Sequence, residues 1–278
     1  MTPRDAIRNA SVQLGAAGVP NSRTDASLLL SAVTGLPALS LRLDSETVLS
    51  ASVISRFEGL LRRRLTREPL QYILGEVSFY GRSFRVDPRV LIPRSETELL
   101  CEWALELLRP LSAPQVLDLC CGSGCIGLTV KAERQDASVT LSDLSRDALA
   151  VASANADSLS LKVDFCHGDL FSAVPCRSFD LILSNPPYIP SDDCLTLQDE
   201  VRREPFSALD GGPDGLDFYR RIISEAPDYL NPSGMLLMEI GIGETDRILE
   251  LLSGRGFSGA EIRKDYAGID RMIFARLG

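Results

Sequence analysis

Five apolar runs, at 115–120, 138–142, 162–166, 179–184 and 235–240, are separated by stretches of helical periodicity. No other feature of the chain limits its fold as much. Runs this short fit buried strands and fall short of helices. Strands that alternate with helices pair in parallel, because each helix carries the chain back along the sheet. An open, doubly wound α/β sheet is the expected result. The end of the chain breaks the rhythm. FSGAEIRKD and DRMIFARL are strand-like runs joined only by YAGI. A parallel crossover needs about a dozen residues or more, so this last pair must be antiparallel.

The first 75 residues show no strand signal. RTDASLLLSAVTG has an acid, Asp25, near its start, carries one apolar face and ends on Gly35; SASVISRFEGLLRRRLTRE repeats the apolar pattern and is stopped by Pro69. Such punctuation predicts several short helices, a small bundle spanning residues 1–75. The period then changes. VSFYGRSFRVDPRVLI (77–92) places Phe79, Phe84 and Val86 around Gly81, which predicts a β-hairpin linker within residues 76–93. Residues 94–278 follow as the sheet-bearing domain, opened by the helix RSETELLCEWALELLRP.

The chemistry is expected at the carboxyl ends of the parallel strands, where open α/β sheets bind ligands. The first strand runs into VLDLCCGSGCIGL: Asp118, Cys120, Cys121, Gly122, Ser123 and Gly124. Gly122 and Gly124 let the backbone turn tightly and approach a ligand. No Gly-Lys-Ser/Thr follows, so this is not a Walker loop. The second strand ends at Asp143. An acid there can accept from both hydroxyls of a ribose; either it or Ser145 can instead cap the next helix. The third strand ends HGDLF, where Asp169 can accept from an adenine amine with Leu170 or Phe171 against the ring. The fourth ends SNPPYIP. Two prolines cannot continue a central strand, so the chain leaves the sheet abruptly at Asn185-Pro186-Pro187-Tyr188.

Composition removes competing chemistries. His167 is the only histidine and no nucleophile elbow accompanies it, which speaks against a Ser-His-Asp machine. Seven cysteines, an odd count, fit reduced thiols in a cytosol better than a disulfide framework. Cys120, Cys121 and Cys125 lack a matching Cys/His pair, so no metal is expected. No apolar run approaches the ~20 residues of a membrane span, and MTPRDAIRNASVQ lacks a signal peptide's apolar core. Residues 1–75 carry nine arginines against six acidic groups; the remainder carries 20 basic against 32 acidic groups. An acidic main domain argues against nucleic acid as the primary substrate; it suits a basic protein partner or serves solubility alone.

Taken in order, Asp118 to Gly124, Asp143, Asp169 and Asn-Pro-Pro-Tyr resemble the motifs of class I S-adenosylmethionine-dependent methyltransferases. REPLQYILGEVSFYGRSFRVDPRVLIPRSETE, REPFSALDGGPDGLDFY, LLMEIGIGE and KDYAGIDRMIFA extend the resemblance over nearly the whole chain. They point to one family, the PrmC/HemK protein-(glutamine-N5) methyltransferases acting on peptide chain release factors. Two positions depart from it: Cys120 stands where the family has Gly, and Ser95 where it has Pro.

The resemblance implies a seven-stranded sheet with an antiparallel last hairpin, S-adenosylmethionine as cofactor, and a class 1 release factor as protein substrate in the cytoplasm. It implies no direct nucleic-acid or membrane partner. Asp118, Cys120, Cys121, Gly122, Ser123, Gly124, Asp143, Asp169, Leu170 and Asn185 would hold the cofactor; Asn185, Pro186, Pro187 and Tyr188 would hold the substrate. Asn185 Oδ1 and the Pro186 carbonyl could accept the two N–H groups of a glutamine amide and aim its nitrogen, with Tyr188 packed on the amide plane. The same tetrad suits a ribosomal-protein glutamine or, less well, an N6-adenine of DNA or RNA. Arg94 is read either as reaching the cofactor's carboxylate or, preferably, as pairing with Glu96 or Glu98. Glu239 with Arg271 is a further candidate pair, and residues 204–215 are either a flap over the substrate or a surface loop.

Overall fold

The computed structural model describes residues 1–278. The chain forms two compact units. One comprises Met1–Glu76 and a short return segment, Gln198–Arg203; the other comprises Val77–Leu197 and Glu204–Gly278.

The first unit is helical: α1 (Pro3–Ala16), α2 (Ser22–Thr34), α3 (Ala38–Leu43), α4 (Ala51–Leu65) and α5 (Leu70–Leu74). Thr2 starts α1 by accepting from the Asp5 amide, and Ser50 starts α4 by accepting from Val53. Gly35 and Gly75, both left-handed, close α2 and α5. Ile7, Ala10 and Leu14 share one face of α1 and meet Leu29, Leu30, Leu41, Phe57 and Leu61 in a single core. One ion cluster is buried beside it. Arg64 Nε donates to Asp25 at 2.8 Å and its NH2 donates to Glu200 of the return segment at 2.9 Å.

In the second unit, strands β1 (Glu76–Phe79) and β2 (Arg82–Arg85) form the hairpin. Tyr80 and Gly81 both take positive φ, the requirement of a tight two-residue hairpin turn. Phe79 and Phe84 meet edge to face, 5.9 Å apart, and belong to the core that includes Trp103. The hairpin is thus packed into this unit.

The main sheet contains β3 (Gln115–Leu119), β4 (Ser138–Asp143), β5 (Asp164–His167), β6 (Phe179–Ser184), β7 (Leu230–Glu239), β8 (Phe257–Lys264) and β9 (Asp270–Leu277). Their spatial order is β5-β4-β3-β6-β7-β9-β8. The first five pair in parallel and β9 runs against both β7 and β8, as the short YAGI connection required. Strand β7 begins earlier than its apolar run suggests. Pro232 is tolerated because the pairing jumps there, from Phe179↔Leu230 to Leu181↔Met235. The helices are α6 (Glu96–Leu108), α7 (Cys125–Glu133), α8 (Arg146–Leu159), the single turn α9 (Ser191–Cys194), α10 (Asp217–Glu225) and α11 (Thr245–Ser253). Alternation along the strands divides the core between two faces. Leu181 and Leu183 pack with α6, α7 and α8; Ile182 packs with α10 and α11. Both faces are covered, which is why the central strands read as unbroken apolar runs.

Candidate active site at the strand ends

Sheet order reverses between β3 and β6, and the carboxyl ends of β3, β4, β5 and β6 open onto one cavity of about 380 Å3. Cys120, Cys121, Gly122, Ser123, Asp143, Asp169, Leu170, Asn185 and Pro187 line it, all of them singled out by the sequence.

The glycine turn after β3 needs left-handed backbone three times: φ is 63° at Cys120, 54° at Gly122 and 79° at Gly124. Only at Cys120 does a side chain bear that conformation. The Gly122 amide donates to Asp143 Oδ2 at 2.9 Å and the Ser145 amide to Oδ1 at 2.8 Å. Burial raises the Asp143 carboxyl and those two amides oppose the rise. Ser145 is the residue that caps α8, accepting from Ala148 at 3.1 Å, which leaves Asp143 to the turn and the cavity.

Two residues expected at the cofactor stand behind the wall. Asp118 is fully buried. Its Oδ2 accepts from the Gly127 amide at 2.8 Å, tying α7 to β3, and its Oδ1 has no partner. Burial raises its carboxyl to about 7, against the pull of that amide. A Cβ at Gly127 would collide with Leu141 and stand 2.9 Å from Asp118 Oδ2, so only glycine lets this bond form. Gly124 is likewise a packing residue: a Cβ there would sit 3.1 Å from Leu128 and 3.2 Å from Ala152. At the end of β5, Asp169 lines the cavity while its Oδ2 accepts from Arg221 at 2.7 Å. Leu170 faces the cavity; Phe171 stacks on Tyr229 in the core, ring centres 4.6 Å apart.

In the tetrad after β6, Asn185 and Pro187 are in the cavity wall; Pro186 and Tyr188 are not. Asn185 Nδ2 donates to Thr97 Oγ1 at 3.5 Å, Thr97 Oγ1 donates to Glu239 Oε2 at 2.6 Å, and the Tyr188 hydroxyl donates to Glu239 Oε1 at 3.4 Å. The pairing of Glu239 with Arg271 is not made; Arg271 Nε bonds Asp265 at 3.3 Å. Arg94 bonds neither Glu96 nor Glu98. It pairs with Glu204, whose other oxygen accepts from the Ile92 amide at 2.9 Å, while Glu98 accepts from the Tyr80 amide at 2.8 Å.

Glu204 begins the 204–215 segment. Pro205, Ser207 and Ala208 complete one wall of the cavity. Beyond them, the Ile189 amide donates to Leu209 O at 2.9 Å and the Gly211 amide to Ile189 O at 2.8 Å, stitching the segment to the tetrad. A Cβ at Gly211 would lie 2.7 Å from Tyr188 Cα, so glycine is what permits this approach. Thr97, Ser142, Ile126, Phe218 and five residues of the 88–93 stretch, all but Ile92, also line the cavity without having been singled out. Thr97, Phe218 and the residues of 88–93 lie in stretches that carry the family resemblance, but nothing in their local pattern sets them at the cavity, which they reach from distant parts of the chain. Burial pushes the Cys120 and Cys125 thiols up, the latter to about 12, so these sulfurs stay protonated and are poor nucleophiles.

Residues 5–75 match the model of the PrmC N-terminal domain, and residues 97–200 match that of the methyltransferase small domain. A release factor glutamine methyltransferase of Geobacter sulfurreducens is 45% identical over 94% of this chain and 92% of its own. One from Cereibacter sphaeroides is 42% identical over 100% and 99%. Among solved structures, a T. thermophilus 16S rRNA N2 G1207 methyltransferase in complex with AdoMet and guanosine is 20% identical. It superposes with a TM-score of 0.53, covering 73% of this chain and 50% of that one, and is similar in fold alone. Near-complete coverage at such identities, in both units of the chain, places it: this protein belongs to the release factor glutamine methyltransferase family.

Proposed function

We propose that the chain transfers a methyl group from S-adenosylmethionine to the side-chain nitrogen (N5) of the glutamine in the Gly-Gly-Gln motif of class 1 release factors. One observation carries the reading: Asn185 stands at the end of central strand β6, in the wall of the same cavity that Asp143 lines from the end of β4.

The cavity suits the cofactor. Gly122 holds its turn with open space where a Cβ would sit, the kind of gap through which a ligand approaches the backbone. Ser142 Oγ, in the cavity wall, is buried without a partner. Each Asp143 oxygen accepts one amide and keeps lone pairs for a ribose hydroxyl. Leu170 and Ile126 offer apolar surface to a base, and Asp169 keeps acceptor capacity beside them. When bound, the cofactor supplies a sulfonium-activated methyl group. The protein's task is placement. An amide nitrogen is a weak nucleophile because its lone pair is delocalised into the carbonyl. Asn185 Oδ1, in the cavity wall, would accept one of its N–H groups, and the carbonyl of Pro186, outside that wall, the other; the pair would hold the nitrogen pyramidal and aim its lone pair at the methyl carbon. The bound cofactor would supply the methyl group and keep the bonding pair as a neutral thioether, and the nitrogen would give its surplus proton to water. Alignment of this kind is worth about 7–11 kcal/mol in well-oriented systems.

A radiolabelled-methyl assay tests the proposal with release factor, its Gly-Gly-Gln to Gly-Gly-Ala variant, ribosomal proteins and DNA in parallel. Label on the native release factor alone is expected. Label on the variant, or preferentially on ribosomal protein or DNA, would overturn it.

A further inference from the structure

Asn185 can serve an amide substrate only if its own amide points the right way. The substrate nitrogen brings two donors, so Asn185 must present Oδ1 to the cavity and keep Nδ2 behind. An amide side chain has two nearly isosteric orientations, and something must select between them.

Thr97 and Glu239 make that selection. Thr97 is the second residue of α6 and is 2% exposed; Glu239 ends β7, also 2% exposed. A threonine hydroxyl has one proton. Here that proton is committed to Glu239 Oε2, 2.6 Å away. Only lone pairs remain on the side facing Asn185, so the atom that can rest against Thr97 is Nδ2, found at 3.5 Å. Were the amide reversed, Oδ1 would meet an oxygen that has no proton to offer. The same carboxylate takes the Tyr188 hydroxyl at 3.4 Å, and the Tyr219 hydroxyl holds the Glu239 carbonyl at 3.0 Å. One buried carboxylate is therefore tied to both ends of the Asn-Pro-Pro-Tyr tetrad. Arg271, the ion-pair partner the sequence suggests for it, is engaged by Asp265 instead.

We infer that Thr97 and Glu239 are positioning residues that fix the amide orientation of Asn185, and so decide that the site receives an N–H donor pair. The inference rests on the reaction proposed above only in naming that donor pair; the orientation itself can be read without substrate. Thr97→Val removes the hydroxyl at nearly constant shape. Its turnover is expected to fall about ten- to a hundredfold, the range of a lost and mismatched buried hydrogen bond. Affinity for S-adenosylhomocysteine should stay within about twofold; the melting temperature should fall by several degrees, because buried Glu239 loses a donor, and the assay is run well below it. Thr97→Ser, which restores the hydroxyl, should recover most of the turnover. Glu239→Gln should fall between wild type and Thr97→Val, since only one of its two amide orientations presents an acceptor to Thr97. The Asn185 side-chain amide signal, assigned by its absence in Asn185→Ala, should shift in Thr97→Val and return in Thr97→Ser. Near wild-type turnover in Thr97→Val, a loss matched by an equal loss of cofactor affinity, or an unmoved Asn185 signal would overturn the inference. If wild-type protein labels no Gly-Gly-Gln protein, the proposed reaction fails, and the amide signal alone decides the orientation.

Discussion

Single residues carry two expectations that can be measured directly. Asp143 keeps lone pairs free on a carboxylate that two backbone amides already hold rigid. Charge-assisted hydrogen bonds to ribose hydroxyls are worth roughly 1.5–3 kcal/mol each. Asp143→Ala is therefore expected to weaken S-adenosylhomocysteine at least about tenfold by calorimetric titration, and unchanged affinity would remove Asp143 from the site. Cys120 bears a φ of 63°, a conformation that costs a non-glycine residue roughly 1–2 kcal/mol. Cys120→Gly should stay active; its release of strain is partly offset by the greater freedom of the unfolded glycine, so melting should change by only a few degrees. Loss of turnover, with a methylated cysteine trapped in the wild type, would refute direct transfer. These residues were legible in the sequence because each sits where a strand ends. Asp118 reads as a ligand for the same reason. Its place at the end of β3 is that of a ligand, and only the Gly127 amide, nine positions on, shows that it faces the helix. Likewise the spacing offers Arg94 near neighbours, while its partner Glu204 is 110 residues away.

At the scale of elements, period and punctuation were enough for the sheet. Apolar runs gave the parallel strands, the two-proline stop gave the abrupt exit after β6, and the four-residue YAGI gave the antiparallel end. Loops were less legible, because their positions are set by contacts that no local pattern encodes. The 204–215 segment reads as Gly- and Pro-rich chain, yet it is clipped at one end by Glu204 and sewn to Ile189 at the other. Glu204 is 5% exposed and bonds the Ile92 amide, so truncating it leaves a buried donor unpaired and frees the wall made by Pro205, Ser207 and Ala208. An unsatisfied buried group costs about 1–3 kcal/mol. Glu204→Ala is expected to lower cofactor affinity by about five- to twentyfold while Glu204→Gln, which can still accept from Ile92, loses less. Equal affinities for the two variants, both at the wild-type value, would show that the segment holds its place without this clip.

For the whole molecule, the informative fact is that the chain does not separate into two consecutive pieces. After the tetrad it enters the helical unit at Gln198–Arg203 and then returns to the cavity wall at Glu204. Within the helical unit, Glu200 is the acceptor for Arg64 at 2.9 Å and for Arg67 at 2.5 Å. A truncation that removes residues 1–75 would strip the return segment of these partners, so it cannot isolate the role of the helices in substrate choice. A point change probes that anchorage more cleanly. In Glu200→Ala, buried Arg64 keeps Asp25 at 2.8 Å and the Glu68 carbonyl at 3.1 Å, and the loss should be about 1–3 kcal/mol rather than the full cost of an orphaned charge. Trp103, the only tryptophan, is buried in the sheet-bearing unit, whereas α1 to α5 contribute to circular dichroism. The variant should lower the melting seen by circular dichroism more than that seen by tryptophan fluorescence. Its pH dependence has a definite sign. Burial alone would raise the Glu200 carboxyl, but hydrogen bonds from Arg67 and Arg64 prevail and hold it at about 2 against an ordinary 4.5. A depressed acid stabilises the fold above its unfolded value and loses that contribution as pH falls toward its folded one. The difference between wild type and Glu200→Ala should accordingly be constant near neutrality and shrink from about pH 4.5 downward to about 2. A difference that persists unchanged across that window would mean that the arginines do not hold Glu200 as an ionised carboxylate.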